Sequence, residues 1–95
     1  MSALEFEWDR RKAEANFAKH GVSFEEAASV FGDPLGRIVS DPRHSQGEER
    51  LVLPGLSNVQ RLLAVMFTDR RETIRIISAR RVTRSERRNY AEGLN

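Results

Sequence analysis

Arginine is the residue type in this sequence that is best placed to do chemistry. Arg75, Arg80 and Arg81 lie on or just beyond an apolar run, and further arginines follow at positions 84, 87 and 88. The guanidinium group is planar and permanently charged, so it binds phosphate oxygens through paired hydrogen bonds and stacks on nucleobases. A single arginine is better explained as a solvated surface residue in an ion pair. The group as a whole indicates binding of a polyanion, either a phosphodiester chain or an acidic protein.

Charge is divided unevenly along the chain. Residues 61–95 hold nine arginines against four acidic residues, a net charge of +5, whereas residues 1–60 hold seven basic and ten acidic residues, a net charge of −3. The two halves sum to the overall +2. The acidic half therefore offers ion-pair partners to the basic half.

The composition excludes several classes of protein. The length predicts one domain with a single core over residues 1–95. The sequence has no cysteine, which excludes disulfides, thiolate zinc sites and a cysteine nucleophile. No apolar run approaches the ~20 residues that span a bilayer, and the acidic residues 4–9 do not fit a signal peptide. We therefore expect a cytoplasmic protein.

The arginines need a strand and a helix to position them. Residues 73–81 are rich in β-branched side chains, which predicts a strand that is buried on both faces. Strict alternation places Arg80 on one face and Arg75 with Arg81 on the other. Thr83 and Glu86 have the spacing of a capping box, which predicts a helix over residues 84–92.

The N-terminal third predicts one strand and two helices. Residues 4–8 alternate in the manner of an edge strand. Asp9 fits the N-cap of a helix that runs to Lys19. Ser23 and Glu26 fit a second capping box. The glycines expected to end the three helices in the left-handed conformation are Gly21, Gly32 and Gly93.

Three more strands are predicted, at residues 36–40, 49–53 and 61–68. The last is apolar on both faces and should be central. Residues 54–58 and 69–72 are expected to be turns. The main elements follow the order β-α-α-β-β-β-α, which predicts an α+β domain: an antiparallel sheet with two N-terminal helices on one face and a short C-terminal helix.

Ordered residues along almost the whole chain are similar to those of one protein family. The residues that carry the likeness are 6–9 (FEWD), Asn16, 19–27 (KHGVSFEEA), 33–34, 47–50 (GEER), 74–81 (IRIISARR), 86–88 and Tyr90. The ordered set is far more specific than any one of its motifs. It resembles the BrnT family, whose members are toxins of type II toxin-antitoxin pairs.

The resemblance implies a small ribonuclease with a fold related to the RelE-like toxins, which halts translation by cutting RNA. It also implies a partner, BrnA, a ribbon-helix-helix antitoxin that blocks the toxin in a hetero-oligomer. That complex represses its own operon, so DNA is reached only through the antitoxin. We expect no cofactor.

Cutting RNA without a metal needs a base for the 2′-hydroxyl, an acid for the 5′-oxygen, cations for the phosphorane and contacts that hold the nucleotide. Histidine suits the proton transfers, since its ordinary pKa is about 6.5. His20 ends the first helix beside Lys19, where catalysis and capping of the helix C-terminus are equally good explanations. His44 lies in a polar loop, where a solvated role is favoured.

The other candidates for proton transfer are a carboxylate and a phenol. Glu48 and Glu49 precede Arg50, and Glu49 is the candidate base, although orientation of the arginine is the favoured role. Tyr90 on the last helix can donate to a phosphate or stack on a base. Packing of that helix on the sheet explains Tyr90 somewhat better.

Arg80 is the candidate for stabilising the phosphorane. The residues expected to bind RNA phosphates are Lys19, Arg50, Arg75 and Arg81. Several of the arginines lie on adjacent strands and are expected to converge at one sheet face, although Arg80 and Arg81 can share it only at a bulge or a strand end. Ion pairs with acidic residues are the rival explanation for each arginine.

Other functions compete with metal-independent RNA cleavage. A metal nuclease is disfavoured, because the acidic residues are scattered and lack Asp-x-Asp or His-x-x-His spacing. A non-catalytic nucleic-acid-binding module would use the arginine-rich C-terminal face for salt-sensitive binding. A protein that only holds an acidic partner would use the same face.

Overall fold

An unbroken apolar run, residues 62–67, lies at the centre of a five-stranded sheet. The computed structural model describes residues 4–40 and 49–93. The strands are β1 (Glu5–Glu7), β2 (Val39–Ser40), β3 (Leu51–Leu56), β4 (Leu62–Arg70) and β5 (Thr73–Arg81). Their order across the sheet is β1-β5-β4-β3-β2. This order confirms β1 as an edge strand and the apolar run as a central one.

Three α-helices and one 3₁₀ turn complete the described fold. They are α1 (Arg10–His20), α2 (Phe24–Ser29), the 3₁₀ turn (Val30–Gly32) and α3 (Arg84–Glu92). α1 begins at Asp9, whose carboxylate accepts from the backbone N–H of Lys12 at 3.0 Å. α3 begins with the complete capping box of Thr83 and Glu86. No helix in the described ranges is long and apolar enough to span a membrane.

The α+β class is confirmed, with two differences in the sheet. β1 pairs in parallel with β5, so the sheet is mixed rather than antiparallel throughout. The predicted order also contains only four strands, whereas the described residues form five, one at each of the five predicted ranges. β1 is joined to the rest of the sheet through α1 and α2 rather than by a hairpin, so nothing forces it to run antiparallel to its neighbour.

The main core lies between the sheet and the two N-terminal helices, on the side that we call the helix face. Its buried residues include Val22, Phe24, Ala27, Val30, Leu53, Leu63, Val65, Phe67, Ile76 and Ala79. The opposite side, which we call the open face, carries a smaller cluster of Val52, Ala64 and Met66 with Ile77 and Val82 packed against it. The open face is therefore the side on which a groove can form.

β3 is longer than the sequence predicts. The predicted turn at residues 54–58 is wrong, because the strand continues through Pro54 and Gly55 to Leu56. Proline has no backbone N–H to donate to a neighbouring strand. It is tolerated at position 54 because β2 pairs only with Leu51 and Val52 on that edge of β3. A Cβ on Gly55 would lie 2.9 Å from Val30 Cγ1, so only glycine lets the 3₁₀ turn pack directly on β3.

Two of the predicted left-handed glycines are not left-handed. Gly21 has φ 69° as expected, and it is the only described glycine with positive φ. Gly32 instead ends the 3₁₀ turn, which the N–H of Asp33 closes on the carbonyl of Val30. Gly93 has φ −67° and donates to the carbonyl of Asn89.

Candidate functional site

A bulge in β5 decides which arginines share a face of the sheet. Ile77 is an extra residue that has no partner in β4. Such a residue reverses the alternation of faces beyond it. Arg80 therefore shares the open face with Arg75, whereas Arg81 points toward the helix face. Regular alternation predicts a different grouping, with Arg75 and Arg81 together.

A groove of about 420 Å³ lies over the open face, between α3 and the segment that leads into β2. We call it the sheet groove. Its lining residues are Leu35, Arg37, Val39, Ser40, Val52, Pro54, Met66, Arg80, Glu86, Asn89, Tyr90 and Gly93. Two predicted site residues, Arg80 and Tyr90, are thus brought together beside an apolar floor formed by Val52 and Met66. An apolar floor with a few polar groups at its wall is typical of a ligand site.

Arg80 is held in the groove by Glu86. Its two terminal nitrogens donate to the two carboxylate oxygens at 2.8 and 3.0 Å, and one of them also donates to the carbonyl of Arg81 at 3.1 Å. The hydrogen bond from Arg80 is the main reason why the pKa of Glu86 lies below its usual range, against the effect of burial. Both side chains are about one quarter exposed. An anion that enters the groove can therefore reach this guanidinium by taking the place of the carboxylate.

Tyr90 is held by a second carboxylate. Its hydroxyl donates to Asp33 Oδ2 at 2.7 Å, and the same oxygen accepts from the backbone N–H of Leu56 at 2.8 Å. Asp33 Oδ1 accepts from the N–H of Leu35 at 3.0 Å. Burial raises the pKa of Asp33, but these hydrogen bonds outweigh it and the net pKa is lowered. Burial and then Asp33 raise the pKa of Tyr90 to about 12, so Tyr90 is a neutral donor at neutral pH.

A second groove, of about 380 Å³, lies on the other side of Tyr90. We call it the arginine groove, because Arg61, Arg81 and Arg87 line it together with Gln60 and Tyr90. Arg61 is fixed there by Glu26 and by the carbonyl of Gly21.

The structure does not bring Arg50, Arg75, Arg80 and Arg81 together at one place. Arg75 and Arg80 share a face, but they are five residues apart on β5, or about 16 Å along the strand. Arg75 instead forms an ion pair with Glu7 at 2.7 Å. Arg81 lies on the other side of the sheet. Arg50 lies just before the start of β3, whereas Arg80 is level with a later part of that strand. The register of the strands therefore separates the four side chains.

The remaining candidates within the described ranges lie outside both grooves. Glu49 is exposed and accepts from Ser40 Oγ at 3.3 Å, just before β3. Lys19 and His20 occupy the last turn of α1 and line neither groove. The histidine and the glutamate at positions 44 and 48 fall outside the described residues.

Sequence reasoning misses three residues that shape the grooves. Asp33 belongs to the Gly-Asp-Pro stop after the second helix, and Glu86 is predicted only as half of a capping box. Each also forms a side-chain hydrogen bond that its local motif does not predict. The bond between Asp33 and Tyr90 joins segments that are remote in sequence, and the bond between Glu86 and Arg80 joins a helix to a strand. Arg61 carries no local signal, because its partner Glu26 is 35 residues away.

The described grooves combine cations with hydrogen-bond donors and an apolar surface. Within residues 4–40 and 49–93, no three histidine, aspartate or glutamate side chains come together as a metal site would need. Asp33 and Glu86 are the acidic side chains nearest Tyr90 and Arg80, and both are engaged in several hydrogen bonds. This arrangement suits a phosphodiester whose base rests on the apolar floor.

Comparison with solved structures supports the fold. The chain is similar to the 1.1 Å crystal structure of the Brucella abortus ribonuclease toxin, BrnT, with a TM-score of 0.65 and 22% sequence identity. The similarity covers 86% of this chain and 100% of the Brucella chain. At this identity the match establishes the fold alone. No curated protein gives a significant sequence match to the chain.

The sequence itself matches a family model. The model is described as "Ribonuclease toxin, BrnT, of type II toxin-antitoxin system", and it matches residues 8–86. That range contains β5, most of the sheet and the start of α3, including Arg80 and Glu86. The chain therefore belongs to the BrnT family of ribonuclease toxins from type II toxin-antitoxin systems.

Proposed function

We propose that this protein is a metal-independent endoribonuclease that arrests translation and is neutralised by a BrnA-like ribbon-helix-helix antitoxin. The observation that carries the proposal is the family match over residues 8–86, since the family consists of ribonuclease toxins. The sheet groove is the site at which the proposed reaction takes place.

RNA binds in this proposal with a base on Val52 and Met66 and a phosphate at Arg80. Arg80 exchanges its contacts with Glu86 for contacts with the phosphate oxygens and stabilises the charge of the phosphorane. Tyr90 is a neutral donor that contacts the phosphate from α3.

Glu86 takes the role of base in place of Glu49, because it lines the same groove as Arg80. Its lowered pKa keeps it ionised at neutral pH. It accepts the proton of the 2′-hydroxyl, the 2′-oxygen bonds to phosphorus, and the bond from phosphorus to the 5′-oxygen breaks. The products are a 2′,3′-cyclic phosphate and a fragment whose 5′-oxygen takes up a proton from water.

The antitoxin in this proposal covers the sheet groove. Leu35, Ile38 and Val39 are 50 to 56% exposed, and two of them line the groove. They lie on or just before β2, which is the edge strand on that side. A partner that buries these apolar side chains would also block access to Arg80.

The direct test is RNA cleavage by the purified protein in EDTA. We expect fragments with 2′,3′-cyclic or 3′-phosphate ends. Arg80→Ala is expected to lower cleavage at least about 100-fold, because an oxyanion-stabilising donor contributes that much to catalysis. It should also abolish growth arrest while the variant stays folded and binds the antitoxin. Arg10→Ala on the exposed surface of α1 is the matched control and should retain full cleavage.

A non-catalytic nucleic-acid-binding module is the second candidate function, and the arginine groove favours it. That module would form only a salt-sensitive complex with RNA and leave the RNA intact. Binding without fragments in both EDTA and Mg²⁺ would reject the nuclease, and cleavage that needs Mg²⁺ would reject its metal independence.

A further inference from the structure

The arginine groove gathers charge that is scattered in the sequence. Arg61 precedes β4, Arg81 ends β5, and Arg87 lies on α3. Three guanidinium groups from three segments thus line one concavity of about 380 Å³. No residue that lines it within the described part of the chain is acidic.

The charges around this groove are not balanced. Glu26 is the nearby carboxylate, and it binds Arg61 through two hydrogen bonds and Ser57 Oγ through a third at 2.7 Å. The bond from Arg61, and to a smaller degree the charge of Arg81, lowers the pKa of Glu26. Among the described residues, neither Arg81 nor Arg87 has an ion-pair partner. Three cations against one carboxylate leave a net charge of +2.

We propose that the arginine groove is a second phosphate subsite, which binds an RNA phosphodiester flanking the one at Arg80. The proposal rests on the proposed function and adds the path of the substrate to it. Tyr90 lines both grooves, so a strand seated in the sheet groove reaches the arginine groove by passing this one residue. Arg81 and Arg87 hold the flanking phosphate, and Arg61 forms the fixed wall behind it.

An RNA strand fits these two grooves better than an acidic peptide does. Each guanidinium fork matches two non-bridging oxygens of a phosphate. Nucleic acid carries its anionic groups at regular intervals along one chain, which suits two basic sites on either side of Tyr90.

The test measures affinity for a single-stranded DNA oligonucleotide, which lacks the 2′-hydroxyl and is not cut in the proposed reaction. The full chain is titrated at a series of salt concentrations. The double variant Arg81→Gln/Arg87→Gln is expected to reduce the slope of log K against log salt by about 1.4, because each phosphate contact to a single strand contributes about 0.7. Arg87→Gln alone should reduce it by about 0.7.

The matched control removes the same charge from the exposed surface of α3. Arg84→Gln/Arg88→Gln changes two arginines that do not line the arginine groove, so its slope should stay near that of the unmodified protein. Equal loss of slope in both double variants would show that total charge matters and would overturn the subsite. Circular dichroism checks that each variant is folded. If the double variant is not folded, the salt slope of Arg87→Gln alone tests the subsite.

The outcomes separate this inference from the proposed function. If the protein cuts RNA but the Arg81→Gln/Arg87→Gln variant keeps the original salt slope, the subsite is rejected and the nuclease is retained. A groove-dependent slope without any cleavage of RNA rejects the nuclease and retains the phosphate subsite. Normal oligonucleotide binding with lost antitoxin binding would show that the groove is a protein-docking surface instead.

Discussion

At the scale of single residues, the contact between Tyr90 and Asp33 decides the chemistry that Tyr90 can do. The phenol donates to a carboxylate that two backbone N–H groups already hold. Deprotonation would place a second negative charge beside Asp33 in a partly buried position. Tyr90 therefore acts as a hydrogen-bond donor, and we exclude it as a base in the proposed reaction.

This contact can be measured, because Tyr90 is the only tyrosine in the sequence. Its pKa is raised from 10.0 to about 12 in the folded protein. We expect the ultraviolet absorbance of the phenolate to appear with a midpoint near 12, and Asp33→Asn should move the midpoint back toward 10. The stability that the raised pKa represents is complete below pH 10 and is lost as pH rises toward 12.

Tyr90→Phe is the control for that stability change. The variant has no phenol to titrate, so its urea midpoint should not show the decline assigned to Tyr90 between pH 10 and 12. A native protein whose single phenol titrates near 10 would contradict the hydrogen bond to Asp33.

At the scale of elements, β5 depends on a side chain of α1. β1 pairs with β5 only as far as Arg75, so the edge of β5 beyond that point has no neighbouring strand among the described residues. The side chain of Asn16 forms the hydrogen bonds that a strand would form there. Its amide N–H donates to the carbonyl of Ala79 at 2.9 Å, and its amide oxygen accepts from the N–H of Ala79 at 3.1 Å. The same amide nitrogen donates to the carbonyl of Val22 at 3.0 Å. Asn16 thus fixes the backbone immediately before Arg80.

Asn16→Ala is expected to lower the free energy of unfolding by about 3 kcal/mol. The change leaves buried backbone groups of Ala79 and Val22 without partners, and each such group costs about 1–3 kcal/mol. Urea denaturation at neutral pH measures the effect. The control is Glu14→Ala on the exposed surface of the same helix, which should change stability by less than about 0.5 kcal/mol. Equal effects of the two substitutions would show that Asn16 does not support β5.

α3 is an element held by polar contacts rather than by burial. None of its residues is buried, and its attachments include the pairs of Glu86 with Arg80 and Tyr90 with Asp33. Glu86 serves twice, since it also completes the capping box by accepting from the N–H of Thr83 at 2.8 Å. The start of α3 and the position of Arg80 are therefore coupled through one carboxylate.

At the scale of the whole molecule, carboxylates of the acidic half hold arginines of the basic half. Glu7 binds Arg75 and Glu26 binds Arg61, across 68 and 35 residues of sequence. These pairs consume part of the positive charge that composition alone assigns to an RNA-binding face. Of the charge that is left, that of Arg81 and Arg87 lies at the arginine groove.

The whole fold should lose stability in acid. The pKa values of Glu26, Asp33 and Glu86 are all lowered, from ordinary values of 4.5, 3.8 and 4.5. The stability that these ionised carboxylates contribute is fully present at pH values above their ordinary pKa values. It is lost as the pH falls through their lower pKa values in the folded state. We expect the urea midpoint to fall from pH 7 to pH 3. Glu26→Gln should be less stable at pH 7 and lose less on acidification, and an unchanged loss would contradict the role of Glu26.

Most of the local elements, the α+β class and the family could be predicted from the amino-acid sequence. Asp9 and Thr83 predict helix starts because a cap bonds to an N–H three residues away. The apolar run at residues 62–67 predicts a central strand because such a segment must be covered on both faces. The ordered motifs identify the family because they span almost the whole chain.

The sequence could not predict which arginines lie close together, because this depends on tertiary contacts. One unpaired residue, Ile77, reverses the faces of β5, and alternation in sequence contains no sign of it. The parallel pairing of β1, the bond from Tyr90 to Asp33 and the gathering of Arg61, Arg81 and Arg87 all join remote segments. Such contacts depend on strand register and on how helices pack on the sheet, which the total packing of the molecule settles rather than any local pattern.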